Sequence, residues 1–455
     1  MRIMITIYDG AIAKNILRTD AFRVLRETPG VDIDVLVNGR KLDYYRTAFP
    51  FQRVRFSASP SETNYLDRLL SIVVLNSIPT RAMRIWQRSR YLSKGKFFVY
   101  AIASFLRTLG RFRIWRRIIR IVDAFMPTPR VYSEMLDRDK PDVLFLTTMM
   151  SPDDVALARL AKRRKIPAVG MIKGWDNPTT KTFIRQIPDK VVVHNEIIKG
   201  EIERLYDVSA ERVAVTGIPQ YDHWFDPEMV IPKEKFFRSL GFDTERKLIL
   251  YAAAGDWMNK ADEEIVRMLS AASLDDRLPR MQILVRLHPK YPSTAESLKG
   301  LPNVVVERPG TSSTGELVHW EYEEGDLKRL VSSLKWSDVV INTASTFTID
   351  AVIFDKPVVL IGFDGSRKLP HDSSVVRYYD REHMRQIIES GGARLAKSSE
   401  EMIATLVDYL RDPTLDAAGR ARIRNEQCSL LDGKAGERIA KIVLDTFAQR
   451  ALENL

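Results

Sequence analysis

A run of hydroxyl side chains lies where an apolar, strand-like stretch gives way to an apolar, helix-like one. Residues Asp338–Asp350 read DVVINTASTFTID, and Thr343, Ser345 and Thr346 occupy the junction. Ser345 or Thr346 would cap the helix. A helix start offers backbone N–H groups and the positive end of the helix dipole, which suits a phosphate or diphosphate. We interpret these three residues as ligands of an anionic donor; the alternative is a well-capped helix without a ligand.

Three polar side chains follow a second apolar stretch in the same half of the chain. Arg286, His288 and Lys290 come at the end of Met281–Leu287, and Pro289 stops the strand and turns the chain. Two cations and a histidine at this point would neutralise a leaving phosphate or donate a proton to it. We assign Arg286 and Lys290 to donor binding and His288 to catalysis. The alternative is a solvated strand end with a satisfied histidine.

A loop of mixed chemistry follows a strand-like stretch in the first half. Its sequence is KGWDNPTTK, and an indole there can stack on a sugar or base, while carboxylate, amide and ammonium groups bind hydroxyls and anions. The predicted acceptor or sugar ligands in this loop are Lys173, Trp175, Asp176, Asn177 and Lys181. Asp-Asn-Pro is also good turn chemistry, so a plain turn is the alternative.

Two further positions lie directly after strand-like stretches. Asp9 follows the first one and is a candidate general base, and Gly10 permits a tight turn that would also place it near an acceptor. Gly255, in the AAAGD stretch that opens the second half, lets a nucleotide approach the backbone. An acidic turn residue and a small packing residue are the respective alternatives.

Metal chemistry on the protein is not predicted. The six histidines lack the paired helical spacing of zinc sites, and Cys428 is the only cysteine. No Walker loop and no Gly-x-Gly-x-x-Gly follows any strand-like stretch. We expect no cofactor. The nucleotide-activated donor would be a substrate.

Short apolar runs alternate with amphipathic helical runs along most of the chain, which predicts parallel βαβ units. The alternation covers residues 1–219, is interrupted by a polar, aromatic linker at 220–240, and restarts over 241–455, where terminal helices close the chain. We predict an α/β protein of two Rossmann-like domains facing across a cleft, with the ligand beyond the carboxyl ends of the strands.

Charge is concentrated in one segment of the first domain, residues 81–122. The twelve Lys and Arg residues from Arg81 to Arg120 outnumber the net formal charge of +11 for the whole chain, and no acidic residue lies between Asp67 and Asp123. Aromatic residues interleave with these cations, which favours an anionic membrane surface. The residues predicted to contact it are Arg84, Arg88, Phe97, Phe98, Arg113, Trp115, Arg116 and Arg117.

A solvated or partner-binding face is the first alternative for this segment. Nucleic acid is disfavoured, because no recognition fold accompanies the cations. No apolar stretch is long enough to span a bilayer, and no signal peptide is present. We therefore expect a cytoplasmic protein, peripheral on the inner face of the plasma membrane.

Several motifs together resemble a known group of enzymes. The second half is similar to the second domain of CDP-glycerol glycerophosphotransferases and related GT-B surface-carbohydrate transferases. The motifs that carry this resemblance are Arg286–Pro289, Asp338–Asp350, Lys356–Leu360 and Asp432–Arg438. In the first half, Gly174–Thr180 resembles the tryptophan-aspartate-asparagine loop of surface-polysaccharide transferases.

The resemblance implies roles for particular residues. His288 and the Ser345–Thr346 turn would meet the phosphates of the donor, Asp350 would lie near the ribose or the phosphates, and Asp9 would be the acceptor-side base. The hydroxyl run reads Thr-Ala-Ser-Thr where the family more often has an aromatic residue followed by two serines. The donor class therefore stays open between a nucleotide sugar and a CDP-polyol.

We accordingly expect a metal-independent glycosyltransferase that moves a sugar from a nucleotide sugar to a lipid-linked bacterial surface glycan, in cell-envelope polysaccharide biosynthesis. A CDP-polyol phosphotransferase of the same fold is the first alternative. A sugar-nucleotide epimerase shares the fold but needs no acceptor and no membrane segment. A non-catalytic scaffold of a glycan-assembly complex would not bind a nucleotide.

Overall fold

The computed structural model of the protein describes residues 1–453, apart from residues 182, 275, 276, 292 and 313. The chain forms two compact units. The first comprises Met1–Asp222 together with the residues from Cys428 onward, and the second comprises His223–Gln427.

The first unit is built on a seven-stranded sheet in which every neighbouring pair of strands is parallel. Its strands are β1 (Arg2–Ile7), β2 (Asp32–Val37), β3 (Val54–Ala58), β4 (Val143–Leu146), β5 (Ala168–Met171), β6 (Lys190–Val193) and β7 (Val213–Val215). Their order is β3-β2-β1-β4-β5-β6-β7. The central strands are apolar on both faces because helices cover both sides of a parallel sheet. In β4, for example, every residue is buried.

Helices fill the connections of this sheet. They are α1 (Gly10–Ile16), α2 (Asp20–Glu27), α3 (Leu42–Ala48), α4 (Tyr65–Asn76), α5 (Arg81–Arg90), α6 (Phe97–Leu109), α7 (Arg113–Phe125), α8 (Arg130–Asp139), α9 (Pro152–Arg164), α10 (Asn177–Thr180) and α11 (Glu196–Tyr206). The connection from β3 to β4 is by far the longest, and it contains α4 to α8. The basic segment is therefore a helical insertion in the first unit, as predicted. Among the described residues, none of the helices combines the length and the apolar character that a bilayer-spanning segment needs.

The second unit contains a six-stranded parallel sheet in the order β10-β9-β8-β13-β14-β15 and a short antiparallel pair, β11-β12. Its strands are β8 (Lys247–Ala252), β9 (Met281–Arg286), β10 (Val304–Glu307), β11 (Thr311–Ser312), β12 (Trp320–Glu321), β13 (Val339–Asn342), β14 (Val358–Ile361) and β15 (Arg394–Ala396). Its helices are α12 (Lys233–Leu240), α13 (Asp262–Leu274), α14 (Glu324–Trp336), α15 (Phe347–Ile353), α16 (Val376–Tyr379), α17 (Glu382–Glu389), α18 (Ser399–Arg411) and α19 (Ala417–Ile423).

The last helix, α20 (Ala435–Glu453), belongs to the first unit. Its start is held by the carboxylate of Asp222, which accepts hydrogen bonds from the backbone N–H groups of Ala435 (3.1 Å) and Gly436 (2.7 Å). Gly436 lies so close to α2 that a Cβ atom there would come within 2.6 Å of the backbone nitrogen of Ala21. Ile439 and Val443 then join the core of the first sheet.

The structure divides the chain differently from the predicted boundaries at two places. The predicted second domain ran to residue 455, whereas α20 packs in the first unit because its apolar face completes that core. The predicted linker, 220–240, is shared between the units, and its last eight residues form α12. Two of the aromatic side chains that suggested a linker, Tyr221 and Trp224, are buried.

A buried ion network fastens the helical insertion to the rest of the first unit. Arg159 of α9 donates hydrogen bonds to Asp67 of α4 and Asp123 of α7, each at 2.7 Å. Arg185 donates to the same two carboxylates, at 2.7 Å and 2.8 Å, so two cations balance two anions. All four residues are buried. Burial by itself would raise the pKa of Asp67, but the two arginines bring it below its usual value.

Removal of one charged side chain from this network is expected to lower the free energy of unfolding much more than removal of an exposed charged side chain. Arg159→Met leaves two buried carboxylates with a single cation, which should lower the free energy of unfolding by about 3–5 kcal/mol. Lys162→Met removes an exposed cation from the same helix and is the control. Urea unfolding of both variants measures the difference. Equal stability of the two variants would show that the network does not hold the insertion in place.

Candidate functional site

Three strand ends in the second unit bring the predicted donor residues to one edge of the sheet. Strands β9, β8 and β13 are neighbours, and their last residues, Arg286, Ala252 and Asn342, lie side by side in register. The loops that follow carry His288 and Lys290, Gly255, and the hydroxyl turn. The structure therefore gathers the loops that the sequence analysis assigned to the donor.

The loop after β8 is held by a buried carboxylate that the sequence analysis missed. Asp262 accepts hydrogen bonds from the Tyr251 hydroxyl (2.8 Å) and from the backbone N–H groups of Ala254 (3.0 Å) and Gly255 (3.3 Å). Burial raises the pKa of Asp262 to about 7. Gly255 has φ +84°, a conformation that favours glycine, so the need for glycine here is conformational.

The hydroxyl turn differs from the prediction in one respect. Helix α15 begins at Phe347, and the Ser345 hydroxyl accepts a hydrogen bond from the Phe347 N–H (3.2 Å), as a capping residue does. The next three N–H groups donate to the carbonyls of Ser345 and Thr346. The expectation of free N–H groups at this helix start is therefore not met, because the turn satisfies them itself. Thr346 is exposed, and its side chain makes no capping hydrogen bond.

Thr343 is buried in the same turn, and its hydroxyl accepts a hydrogen bond from Asn259 (3.0 Å). That contact links the turn to the loop after β8. Thr343 is thus placed to support the turn and not to touch a ligand directly. Burial is the main cause that raises the pKa of the Tyr322 hydroxyl, and the charge of Asp350, on α15, raises it further.

His288 is half-buried and uncharged at neutral pH. Its Nδ1 accepts a hydrogen bond from the backbone N–H of Lys290 (3.1 Å), which leaves the proton on Nε2. Burial, assisted by the charges of Lys290 and Arg308, lowers the pKa of His288 to about 4. The imidazole is therefore a neutral hydrogen-bond donor, and the predicted role as a cation or proton donor at neutral pH does not fit.

Arg286 is buried, with 4% of its surface exposed, yet neither of its terminal nitrogens makes a hydrogen bond of normal geometry among the described residues. The Tyr322 hydroxyl is near enough for Arg286 to act on its pKa, but a neutral hydroxyl does not balance the charge of a guanidinium. Glu307 is 3.5 Å from one of them, but Glu307 is also bound by Arg329. A buried cation whose N–H groups lack hydrogen-bond acceptors destabilises the folded protein unless a ligand supplies those acceptors. Sites of this kind are often functional, and an anion is the ligand that would use these donors.

An aromatic cluster that the sequence analysis missed adjoins these loops. The rings of Trp257 and Tyr291 are 5.0 Å apart, and those of His288 and Tyr291 are 4.5 Å apart. Tyr378 lies 6.5 Å from Trp257 and carries the guanidinium of Arg377 at 4.3 Å. Trp257 follows Gly255 by two residues, and Tyr291 follows His288 by three. Their position just after the ends of β8 and β9 is the feature of the sequence that could have identified them.

In the first unit, the structure brings the predicted base together with a predicted acceptor ligand. The Nζ atom of Lys173 lies 2.8 Å from Oδ2 of Asp9. The other oxygen, Oδ1, caps α1 by accepting a hydrogen bond from the Ile12 N–H (2.9 Å). Gly10 is the first residue of that helix and is buried. Both oxygens of Asp9 are thus oriented by neighbours, although 38% of its side chain is exposed.

The tryptophan-containing loop is more structural than predicted. Trp175 is buried, with 8% exposed, so its ring face is not open for stacking on a sugar. Asp176 accepts a hydrogen bond from the Thr180 hydroxyl (3.1 Å) and lies 3.7 Å from Lys181. Asn177 is buried, and its side-chain nitrogen has no partner among the described residues. Of this loop, Lys173, Asp176 and Lys181 remain at least partly accessible.

No three His, Cys, Asp or Glu side chains within the described ranges are arranged to bind a metal ion.

A family profile matches the part of the chain that contains these loops. The profile is described as CDP-Glycerol:Poly(glycerophosphate) glycerophosphotransferase and covers residues 176–445, more than half of the 455 residues. The chain belongs to this family. The resemblance stated from the sequence motifs is confirmed. No curated protein matches the chain.

Solved structures show the same fold as this glycerophosphotransferase-family chain. UDP-GlcNAc 2-epimerase from Neisseria meningitidis, bound to UDP-GlcNAc, has 13% identity and a TM-score of 0.57, with 98% of this chain and 100% of that chain covered. The epimerase from Methanocaldococcus jannaschii has 13% identity and a TM-score of 0.55, with 98% and 99% covered. A glycosyltransferase from Rickettsia africae has 12% identity and a TM-score of 0.51, with 97% and 98% covered. The predicted fold class, two Rossmann-like domains of the GT-B type, is confirmed.

In this family member, the basic segment and the adjoining parts of α4 and α7 expose more apolar surface than predicted. Phe97, Phe98, Arg84, Arg113 and Arg117 are exposed as expected. Exposed apolar residues that the sequence analysis did not name are Tyr65, Leu66, Leu69, Ile72, Val99, Ile102, Phe105, Phe112, Ile114, Ile118, Ile121, Val122 and Phe125. They lie on α4, α6 and α7 or next to them.

Three of the predicted membrane residues are not on the open surface. Arg116 is buried and donates two hydrogen bonds of 2.7 Å to Asp207, so its role is structural and the membrane assignment is wrong for it. Trp115 is half-buried, and its Nε1 donates to the Ser77 hydroxyl (3.0 Å). Arg88 is also half-buried. The side of helix α7 that carries Arg116 therefore faces the interior of the first unit.

Proposed function

We propose that this protein is a transferase that moves an activated group from a nucleotide diphosphate donor to a hydroxyl of a bacterial surface glycan. The buried, incompletely paired guanidinium of Arg286 carries this proposal, because an anionic ligand is what its free donors lack. A CDP-polyol is the first donor class, since the chain belongs to the CDP-glycerol glycerophosphotransferase family. This reverses the order of the two donors expected from the motifs alone.

The donor would lie at the carboxyl edge of the second sheet. Arg286, the Nε2–H of neutral His288 and Lys290 would face its phosphates. With a CDP-polyol, the acceptor oxygen attacks the distal phosphorus and CMP leaves. Negative charge develops on the leaving phosphate, and fixed donors in a dry site stabilise it without a metal ion.

A nucleotide sugar is the second donor class. It would use the same phosphate contacts, but the acceptor would attack the anomeric carbon and the nucleoside diphosphate would leave. The Neisseria meningitidis epimerase of the same fold is bound to UDP-GlcNAc, which supports a test of this class. The aromatic cluster of Trp257, Tyr291 and Tyr378, in which Trp257 is 54% exposed, would suit the base or the sugar of either donor.

Arg286→Met separates a ligand-binding role of this residue from a structural one. Without ligand, the variant should unfold at the same temperature as the wild type or higher, because a poorly paired buried cation is removed. CDP-glycerol at about a hundred times its dissociation constant should add about 2.7 kcal/mol to the stability of the wild type. The variant should lose most of that gain.

Thermal-shift measurements with CDP-glycerol, CDP-ribitol and UDP-GlcNAc make this comparison. Arg267→Met, which removes an exposed cation from α13, is the control and should keep the full shift. The donor that shifts the wild type identifies the donor class. No shift with any of them would support the non-catalytic scaffold and refute the transferase.

Asp9 would take the proton of the acceptor hydroxyl. Its carboxylate is held by Lys173 on one side and by the start of α1 on the other, so its direction is fixed before the acceptor arrives. A base oriented in this way contributes about a hundredfold or more to the rate in comparable enzymes.

Asp9→Asn tests this role without loss of the cap, because asparagine caps helices about as well as aspartate. Turnover should fall at least about tenfold, while the thermal midpoint stays close to that of the wild type. Asp9→Ala also loses the cap and should be less stable by about 1 kcal/mol. Full turnover by the Asn variant would remove Asp9 from the mechanism.

We further propose that the exposed face of α4, α6 and α7 binds the inner face of the plasma membrane. Large apolar side chains stand open there, with Phe98 79% and Phe125 83% exposed. The sequence between Asp67 and Asp123 contains no acid to oppose its cations. Each cation near an anionic leaflet contributes about 1 kcal/mol, and each inserted aromatic ring adds hydrophobic stabilisation.

Phe98→Ser should weaken binding to vesicles of phosphatidylcholine with about one third phosphatidylglycerol by roughly tenfold, since a phenyl ring no longer leaves water. Its fold should not change, because the ring is exposed. Leu452→Ser removes an apolar side chain, 73% exposed, from α20 and is the control. Co-sedimentation measures both. If the two variants bind equally well, this face is not the membrane surface.

A further inference from the structure

A buried carboxylate of the second unit has no cation to balance it. Asp262 is the first residue of α13, and only 1% of its surface is exposed. Among the described residues, no Lys, Arg or His side chain forms an ion pair with it. Hydrogen bonds alone meet its charge, from the hydroxyl of Tyr251 and the N–H groups of Ala254 and Gly255. An ionised carboxylate buried in this way destabilises the folded protein.

The loop that Asp262 holds is part of the candidate donor site. The carbonyl of Gly255 accepts hydrogen bonds from the N–H groups of Met258 and Asn259, both at 3.0 Å. The side-chain nitrogen of Asn259 then donates to the hydroxyl of Thr343 (3.0 Å), in the hydroxyl turn. Asp262 is therefore connected, through one short turn, to two of the loops that are proposed to surround the donor.

Arg286 is the opposite case in the same unit. It is a buried cation whose terminal nitrogens lack hydrogen bonds of normal geometry among the described residues. Its carbonyl accepts a hydrogen bond from the N–H of Ala253 (3.0 Å), one residue before the first N–H group that Asp262 holds. A buried cation and a buried anion at one edge of a sheet act on each other beyond contact distance, because the interior screens charge weakly. The charge of Arg286 therefore favours the ionised form of Asp262.

An anion bound by Arg286 changes this balance in one direction. It cancels the positive charge that favours ionised Asp262, and its own negative charge repels the carboxylate. Both effects favour the neutral form, so Asp262 takes up a proton as the anion binds. By linkage, the neutral form of Asp262 favours binding of the anion to the same extent.

We propose that Asp262 is a proton-linked switch of the donor site, which takes up a proton when a nucleotide diphosphate donor binds at Arg286. The inference rests on the proposed function, because that donor is the anion in question. Asp262 acts through its charge and through the loop that it holds, and is thus a positioning residue that does not itself touch the donor. The site would bind its donor more tightly as the pH falls.

The proton affinity of Asp262 lies in the range where such a switch operates. Burial raises the pKa of Asp262 to about 7, and the negative charge of Asp256, in the same loop, adds to the rise. Tyr251 and, beyond it, Tyr379 are further titratable groups, and burial keeps both hydroxyls neutral because it raises their pKa. His288 does not titrate between pH 6 and pH 8, since its pKa is about 4.

Both protonation states fit the hydrogen bonds around Asp262. Two of its three donors are backbone N–H groups, which can only donate, and they share Oδ2. The third is the hydroxyl of Tyr251 at Oδ1, which can turn to accept a proton from a neutral carboxyl group. Asparagine reproduces the neutral form, with its oxygen toward the N–H groups and its nitrogen toward Tyr251. Asp262→Asn is therefore a permanently neutral mimic.

The fold should survive this substitution. Because the pKa of Asp262 is raised in the folded protein, the stability that goes with its neutral form is lost as the pH rises through about 7. At pH 8, Asp262→Asn should therefore unfold at the same temperature as the wild type or at a higher one.

Calorimetric titration with CDP-glycerol between pH 6 and pH 8 tests the switch, with UDP-GlcNAc as the second probe. The diphosphate of either donor is esterified at both ends and does not change its charge in this range. The wild type should bind roughly fivefold more tightly at pH 6 than at pH 8. At pH 7 it should take up a fraction of a proton, measured in two buffers of different ionisation enthalpy. Asp262→Asn should bind at pH 8 at least as tightly as the wild type and take up no proton.

Asp154→Asn is the matched control. Asp154 is a buried carboxylate of the first unit, and it accepts hydrogen bonds from the Tyr8 hydroxyl and from the N–H groups of Thr148 and Met149, each at 3.0 Å. It resembles Asp262 in its surroundings but belongs to the other unit. Its variant should therefore keep the proton uptake and the pH dependence of the wild type.

Wild-type affinity that is independent of pH, or that weakens as the pH falls, would overturn the switch without the need of any variant. Equal proton uptake by Asp262→Asn and the wild type would overturn it as well. In either case the donor still binds, so the proposed function would stand. Absence of donor binding by the wild type at every pH would refute the proposed function itself, and the switch with it.

Discussion

Parallel pairing of all strands in both large sheets is the constraint from which the candidate site follows. A parallel pair cannot be closed by a tight turn, so each connection returns over the sheet and each strand ends at the same edge. In the second unit this places Ala252, Arg286 and Asn342 side by side. Loops that are far apart in the sequence therefore lie at the same edge of the sheet. The residues of these loops can be substituted without a change in the sheet that positions them.

Buried cations occur in two different environments. In the first unit, Asp67, Asp123, Arg159 and Arg185 form a closed, buried set in which every cation has an anion, and that set is structural. In the second unit, Arg286 is equally buried, but its terminal nitrogens lack a hydrogen bond of normal geometry among the described residues. Burial and pairing together, and not charge alone, separate the structural arginines from the one proposed to bind a ligand.

The interior strands were predictable because both of their faces are buried and they read as continuous apolar runs. Strands β3 and β15 were missed; both lie at sheet edges, where the polar residues of VRFSA and RLA are tolerated. The loops of the candidate site in the second unit were predictable from their place after strands. Contacts between distant residues were not predictable: in the first unit, the Asp9–Lys173 pair spans 164 residues, and neither the burial of Trp175 nor the Arg116–Asp207 pair leaves a local pattern in the sequence.

Helix α20 completes the core of the first unit after the chain has passed through the whole of the second. The second unit is thus a continuous stretch inserted between two parts of the first. On the ribosome, domains fold as they emerge, at about 5–20 residues per second. The core of the first sheet therefore stays incomplete until the more than two hundred residues of the second unit have been synthesised. Until then, the apolar residues of the first core that pack against Ile439 and Val443 lack that cover.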